Sequence, residues 1–240
     1  MDTLNPEKKV KDLMLLQIGN QRSKYFPFST YLSDSALHIL VKKSYDTGQR
    51  VSEQEIFTEI KKHTRASMAN DFTLFKHYPQ KGQLTFMQYF GFDNNEYEEA
   101  VPDFHWKLSN DTLTVCGYLC TKATTTFRGR NYKVWYTKEI PVSDGPWKFN
   151  GLPGLILKAI DEQGFFSFEC TAIEIPSGVK SIYNISYGRK ISRNEFNKAM
   201  QRFMDNMGAY STGSPLTPES PFPASAYKKR PYNPIERTDE

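Results

Sequence analysis

Alternation of apolar and polar residues dominates the middle of the chain. Residues 72–79 (FTLFKHYP) and 84–90 (LTFMQYF) flank a QKGQ turn, which predicts an antiparallel hairpin. Residues 13–17 (LMLLQ) predict an earlier strand, closed by Gly19. Residues 93–99 are acidic and read as a connection, and residues 99–108 as a strand that Pro102 confines to an edge or bulge. From 113 to 126 a single strand is predicted, with Leu113, Val115, Gly117 and Leu119 on one face and Thr114, Cys116, Tyr118 and Cys120 on the other. The turn Arg128-Gly129-Arg130 leads into a strand over 131–142. A further strand over 165–175 places Phe166, Phe168, Cys170 and Ala172 on one face, and Ile182, Ile185 and Tyr187 suggest one more or an irregular segment. Strands in succession joined by short turns predict an antiparallel meander.

Helical spacing is confined to the flanks. Residues 36–43 predict one short helix. The capping-box pair Ser52 and Glu55 starts a second, reaching about Arg65 with Ile56 and Ile60 on one face. A second box, Ser192 and Glu195, opens a helix whose Phe196, Met200, Phe203, Met204 and Met207 form one apolar stripe. Six of the 14 prolines fall in residues 211–240, which cannot bury enough apolar surface to fold alone. The expected organisation is one β-rich α+β domain over 1–210. It has a curved antiparallel, half-barrel-like sheet, a small helical insertion over about 33–66 and the C-terminal helix packed on the sheet. Residues 211–240 follow as a Pro-rich tail or strap, with Tyr227 and Tyr232 as candidate anchors.

The stretch 144–157 (DGPWKFNGLPGLIL) departs from both periods. Three turn signals are interleaved with Trp147, Phe149, Leu152, Leu155, Ile156 and Leu157. Leu152-Pro153-Gly154-Leu155 fits a type II turn. Gly151, Leu152, Pro153, Gly154, Leu155 and Ile156 are therefore expected to be a structural keystone, with Gly154 at positive φ and Leu155 and Leu157 facing a core.

These words carry a family resemblance. GPWKF and GLPGLI, preceded by WYTKEIPVSD, resemble the GLPGLI family of Bacteroidetes envelope proteins. QIGNQRSKYFPFSTYLSDS, GYLCTKATTTFRGRNYKVWYT and YNPIE extend the similarity over most of the chain. The resemblance implies a secreted or periplasmic β-rich protein; it implies no catalytic residue. The chain opens MDTLNPEKK without a signal peptide, so the resemblance further implies a mature start with Met1 added.

Composition narrows the function classes. An aromatic share of 14% favours strands and stacked contacts over helical bundles, and 31 basic against 27 acidic residues are too balanced to argue for nucleic acid. No run approaches the ~20 apolar residues of a membrane helix. Cys116 and Cys120, four apart on one strand, would lie about 13 Å from each other and cannot bridge. One of them can reach Cys170 only if their strands are neighbours or face one another, and an odd count leaves a thiol over. No spacing suggests a metal site or a cofactor motif. Asp103 and His105 alternate onto one face without a nucleophile to complete a triad.

Arg128 and Arg130, with Tyr118, Trp135 and Trp147 close in sequence, form the candidate binding set, since arginine and aromatics together suit carboxylate, phosphate or sugar capture. The expected function is a non-enzymatic, periplasmic or cell-envelope protein that binds a lipid or peptide ligand or an outer-membrane protein partner. A hydrolase and a structural subunit are the alternatives.

Overall fold

The computed structural model describes residues 11–63, 71–91, 93–175, 182, 188–206 and 234–237. The fold is the α+β one expected. Its open sheet is divided into two hydrogen-bonded parts that share one core. The first comprises β1 (Met14–Ile18), β2 (Ser23–Pro27), β3 (Phe72–Lys76), β4 (Gln83–Phe90), β5 (Asp93–Ala100) and β11 (Arg189–Lys190), in that order. All its pairings are antiparallel except β5 with β11. The second is the meander: β6 (Lys107–Val115), β7 (Tyr118–Phe127), β8 (Arg130–Thr137), β9 (Leu155–Asp161) and β10 (Ser167–Glu169), each pairing antiparallel with the next.

Three departures from the sequence pattern matter. Residues 93–99 are a strand, not a connection: β5 pairs along the whole of β4 and buries Asn95, Glu96 and Tyr97. Residues 101–106 are irregular instead of extended, and they carry Phe104 into the core against Phe127 and Phe149, with ring centroids 4.5 and 5.4 Å away. The expected strand over 113–126 is broken by a hairpin at Cys116-Gly117, both at positive φ, so Val115 pairs with Tyr118. Cys116 and Cys120 therefore do not share one strand.

The main core lies between the two sheet parts. Leu74, Leu84, Phe86 and Tyr97 come from the first, and Ala123, Tyr132, Val134, Tyr136 and Ile156 from the second. Trp147, Phe149 and Leu152 fill the space between. Full burial of a side chain such as Phe149 contributes about 2 kcal/mol. A second cluster of Val115, Cys120, Leu155 and Leu157 lies on the other face of the meander, since Leu155 and Leu157 alternate with the inward-facing Ile156.

The helices differ in how they are held. α1 (Phe28–Thr47) begins eight residues before the predicted start, directly after Pro27, and stops at Gly48 in the left-handed conformation. None of its residues is buried, and Ile39, Val41 and Tyr45 face solvent. α2 (Glu53–His63) begins at the predicted Ser52/Glu55 box, in which the Glu55 carboxylate accepts from the Ser52 N–H at 2.8 Å. α3 (Arg193–Asp205) begins at the predicted Ser192/Glu195 box and buries Phe196, Met200 and Phe203. Phe196 meets Phe86, Phe90 and Tyr97 edge-on, with centroids 5.0 to 5.5 Å apart. Ser192→Ala removes the acceptor for the Glu195 N–H and is expected to cost about 1 kcal/mol, read as a lower urea midpoint at unchanged slope. Ile185, Tyr187, Met207, Tyr227 and Tyr232 lie outside the described residues.

Candidate functional site

The central stretch is built from backbone constraints. Gly154 N–H donates to Leu152 O at 2.8 Å, and Leu155 N–H to Ile140 O at 3.0 Å. Pro153 is thus the middle of a three-residue turn, and the four-residue type II turn is not formed because Ile140 takes the Leu155 donor. Gly151 has φ +88, and Trp106 Nε1, beside it, donates to Asn150 O at 2.8 Å. Lys76 anchors the stretch to β3: its ammonium pairs with Asp144 and donates to Gly145 O at 2.7 Å and Phe149 O at 3.1 Å. Burial lowers the Lys76 pKa, against the opposing pull of Asp144.

This scaffold delivers Lys148 to a cluster of charges. Lys148, with no side-chain exposure, meets Glu99 of β5 at 2.5 Å, Tyr97 Oη at 3.0 Å and the Glu236 carboxylate. Arg128, from the β7–β8 turn, reaches Glu99 Oε2 at 2.8 Å and Glu236 Oε2 at 2.6 Å. Arg193, the first residue of α3, adds Nη2 at 2.5 Å and Nε at 2.9 Å to the same Glu236 oxygen. Three cations thus surround two carboxylates. Burial by itself would raise the Glu236 carboxyl, but Lys148, Arg128 and Arg193 outweigh it and hold it at about 2. Burial, then Glu236 and Glu99, push the Tyr97 hydroxyl well up, so it stays protonated.

Glu236 arrives on a short segment that is itself gripped. Arg130 donates to Pro234 O at 2.7 Å and to Ile235 O at 3.1 Å while pairing with Asp161 at 3.1 Å. Tyr132 Oη donates to Ile235 O at 3.1 Å, and Arg237 N–H to Arg128 O at 2.9 Å. Residues 234–237 are therefore a strap across the β7–β8 turn. Next to the cluster, Tyr97 also lines a groove of about 350 Å³ with Glu96, Glu98, Lys190, Ser192 and Glu195.

The five residues of the sequence-based binding set divide. Arg128 and Arg130 come together at the strap, and the Trp147 ring lies 5.7 Å from Lys148 Nζ, buried in the core. Tyr118 and Trp135 pack around the second cluster, away from this site. Glu99, Lys148, Arg193 and Glu236 are not marked by any pattern; Lys148 and Glu236 sit inside the words GPWKF and YNPIE, where motif residues hide their charges. Asp103 and His105 are 89% and 92% exposed and 4.0 Å apart, and neither lines the groove. Among the described residues no group of His, Cys, Asp or Glu could hold a metal ion, and no helix is long and apolar enough to cross a membrane.

Residues 128–158 match a family model described as "Protein of unknown function (Porph_ging)". The match includes Arg128, Arg130, Lys148 and the whole of Gly151 to Ile156. No curated protein matches the chain. Two solved structures of PNGF-II, in the P21 and C2 space groups, are similar at 12% identity with TM-scores of 0.48 and 0.49. They cover 80% and 79% of this chain, which spans 30% and 29% of theirs.

Proposed function

We propose that this chain is a non-enzymatic binding module of the cell envelope whose ligand is an extended, carboxylate-bearing peptide. One observation carries the reading: the domain holds its own residues 234–237 as a peptide ligand would be held. Backbone carbonyls are taken by Arg130 and Tyr132, and the Glu236 carboxylate by a three-cation cradle. The envelope location rests on the GLPGLI-like words. A peptide is favoured over a lipid because aromatic side chains occupy the core, with Phe86, Tyr97 and Phe196 interlocked and Trp147 packed on Phe149 at 5.2 Å.

The test uses a labelled peptide, Asn-Pro-Ile-Glu-Arg, and fluorescence anisotropy. A chain ending at residue 233 is expected to bind it, and to bind the Gln version at least tenfold more weakly, since hydrogen bonds to a charged group contribute ~1.5–3 kcal/mol. The full chain, its cradle filled, is expected to bind at least tenfold more weakly than the shortened one. Full chain carrying Glu236→Gln serves as a second receptor if the shortened chain fails to fold. Equal binding of the Glu and Gln peptides by folded receptors overturns the proposal.

The second reading, a hydrolase, is favoured by the groove, where buried Glu96 lies near the more open Glu98 and Glu195. Turnover of peptide, ester or glycoside probes that Glu96→Gln abolishes, in a variant that still melts like the parent, would establish it over the binding module.

A further inference from the structure

Three thiols converge on the outer face of the meander. Cys116 is the first residue of the two-residue turn between β6 and β7, with φ +51, followed by Gly117 at +84. The hairpin folds Cys120 back opposite Leu113, fully buried, with its thiol donating to Tyr118 O at 3.5 Å. Cys170 follows β10. Its N–H donates to Leu157 O at 2.7 Å, and its thiol to Ala172 O at 3.5 Å. The chain leaving β10 then crosses the cluster of Val115, Leu155 and Leu157, against which Cys116, Cys170 and Ile173 all pack. Cys116 and Cys170 are both half-buried, they pack against the same cluster, and Cys116 lies close enough to raise the Cys170 pKa.

We infer that Cys116 and Cys170 are a disulfide-forming pair, and that Cys120 remains a buried thiol. Both thiols pack against one cluster on the same face of the meander, and the β6–β7 turn and the β10 exit that carry them are held by their own backbone hydrogen bonds, so the fold presents the two thiols to each other. Partial exposure lets an oxidant reach either member of the pair, whereas Cys120 is closed to attack.

The oxidant is a disulfide, either oxidised glutathione or the disulfide of a thiol–disulfide oxidoreductase. Burial first, and Cys116 next, push Cys170 up to about 11, which keeps it protonated. Cys116 therefore attacks first and forms a mixed disulfide, and its proton leaves with the expelled thiol of the oxidant. Cys170 then loses its proton and attacks the Cys116 sulfur, expelling the second thiol. Two protein S–H bonds are replaced by one S–S bond, and two electrons and two protons leave on the oxidant as two thiols. The bond staples the β6–β7 turn to the segment leaving β10, across the face of the meander. It closes a loop of about 50 residues, long enough to restrict the unfolded chain strongly.

The experiment equilibrates the full chain in glutathione redox buffers, quenches with acid, alkylates free thiols and maps peptides without reduction. The expected product has lost two hydrogens, yields a linked Cys116–Cys170 peptide, and alkylates at Cys120 only after denaturation. Its equilibrium with glutathione should be at least 100-fold more favourable folded than in guanidinium, and the oxidised form should melt about 5 °C higher. Cys120→Ala keeps the bond, and Cys116→Ser abolishes it without producing a Cys120–Cys170 link. A link to Cys120, disulfide-joined dimers, or an equilibrium no better folded than unfolded overturns the assignment.

Discussion

Gly154→Ala is expected to remove a large share of the domain's stability, read as a urea midpoint far below the parent's. A Cβ on Gly154 would lie 2.1 Å from Thr137 O and 2.7 Å from its carbonyl carbon, and φ there is +158. The obstacle is backbone and cannot rotate away. Nor can it retreat, because Thr137 is paired with Leu155 at the start of β9, and Leu155 is fixed in turn by Ile140 O. Relief would require pulling the end of β8 off β9, which unpacks Leu155 and Ile156 from two clusters at once. The cost is about 4 kcal/mol or more, a large share of the stability of an ordinary domain. Gly117→Ala is the control: φ is +84 there, but nothing lies within 4 Å of the added carbon, so strain alone applies and the cost is about 1 kcal/mol. Urea melts followed by tryptophan fluorescence separate the two. Similar midpoints would mean that the Gly154 approach is not the constraint described.

Glu236→Ala should be nearly as damaging and should change the pH dependence as well. It leaves Lys148, Arg128 and Arg193 buried around the single carboxylate of Glu99, and removing one partner from such a cluster costs about 3–5 kcal/mol. The parent's acid response follows from the same geometry. The Glu236 carboxyl titrates at about 2 in the folded protein, against an ordinary 4.5. Its contribution, about 3 kcal/mol, is therefore fully present above pH 4.5 and disappears as the pH falls from there toward 2. Glu236→Gln removes the titrating group, so the urea midpoint of that variant should fall less steeply over this window than the parent's. Parallel curves would show that Glu236 is not held as described.

The elements legible in the sequence are those whose signals are local. The Ser192/Glu195 box and the Phe196, Met200, Phe203 spacing are sufficient for α3, and the alternation on either side of QKGQ for the β3–β4 hairpin. β5 is hidden because Asn-Asn-Glu-Tyr-Glu-Glu is polar on both faces; Glu96, on the face opposite the core residue Tyr97, is buried against all averages for its type. The Cys116-Gly117 turn is hidden because a two-residue turn of this kind ordinarily announces itself with Asn or Asp before the glycine. The charge cluster is the least legible part. Its members come from a strand, a turn, the central stretch, a helix start and the strap, and no spacing rule joins positions 99, 128, 148, 193 and 236. What the sequence does show is Arg128 and Arg130 flanking Gly129, which is half of the grip on the strap.

The charge cluster also acts on the arrangements that the chain avoids. Lys148 sits between Trp147 and Phe149, so any collapse that buries those aromatic rings draws an ammonium group inward with them. Only one arrangement supplies the matching carboxylates: β5 in register on β4, which presents Glu99, and the strap across the β7–β8 turn, which presents Glu236. Slippage of β5 by one residue would turn Glu99 to the opposite face. The ammonium would then be buried without its nearest counter-charge, at a cost of several kcal/mol. Aromatic packing by itself tolerates many near-equivalent collapses; a buried lysine in the midst of the rings penalises nearly all of them.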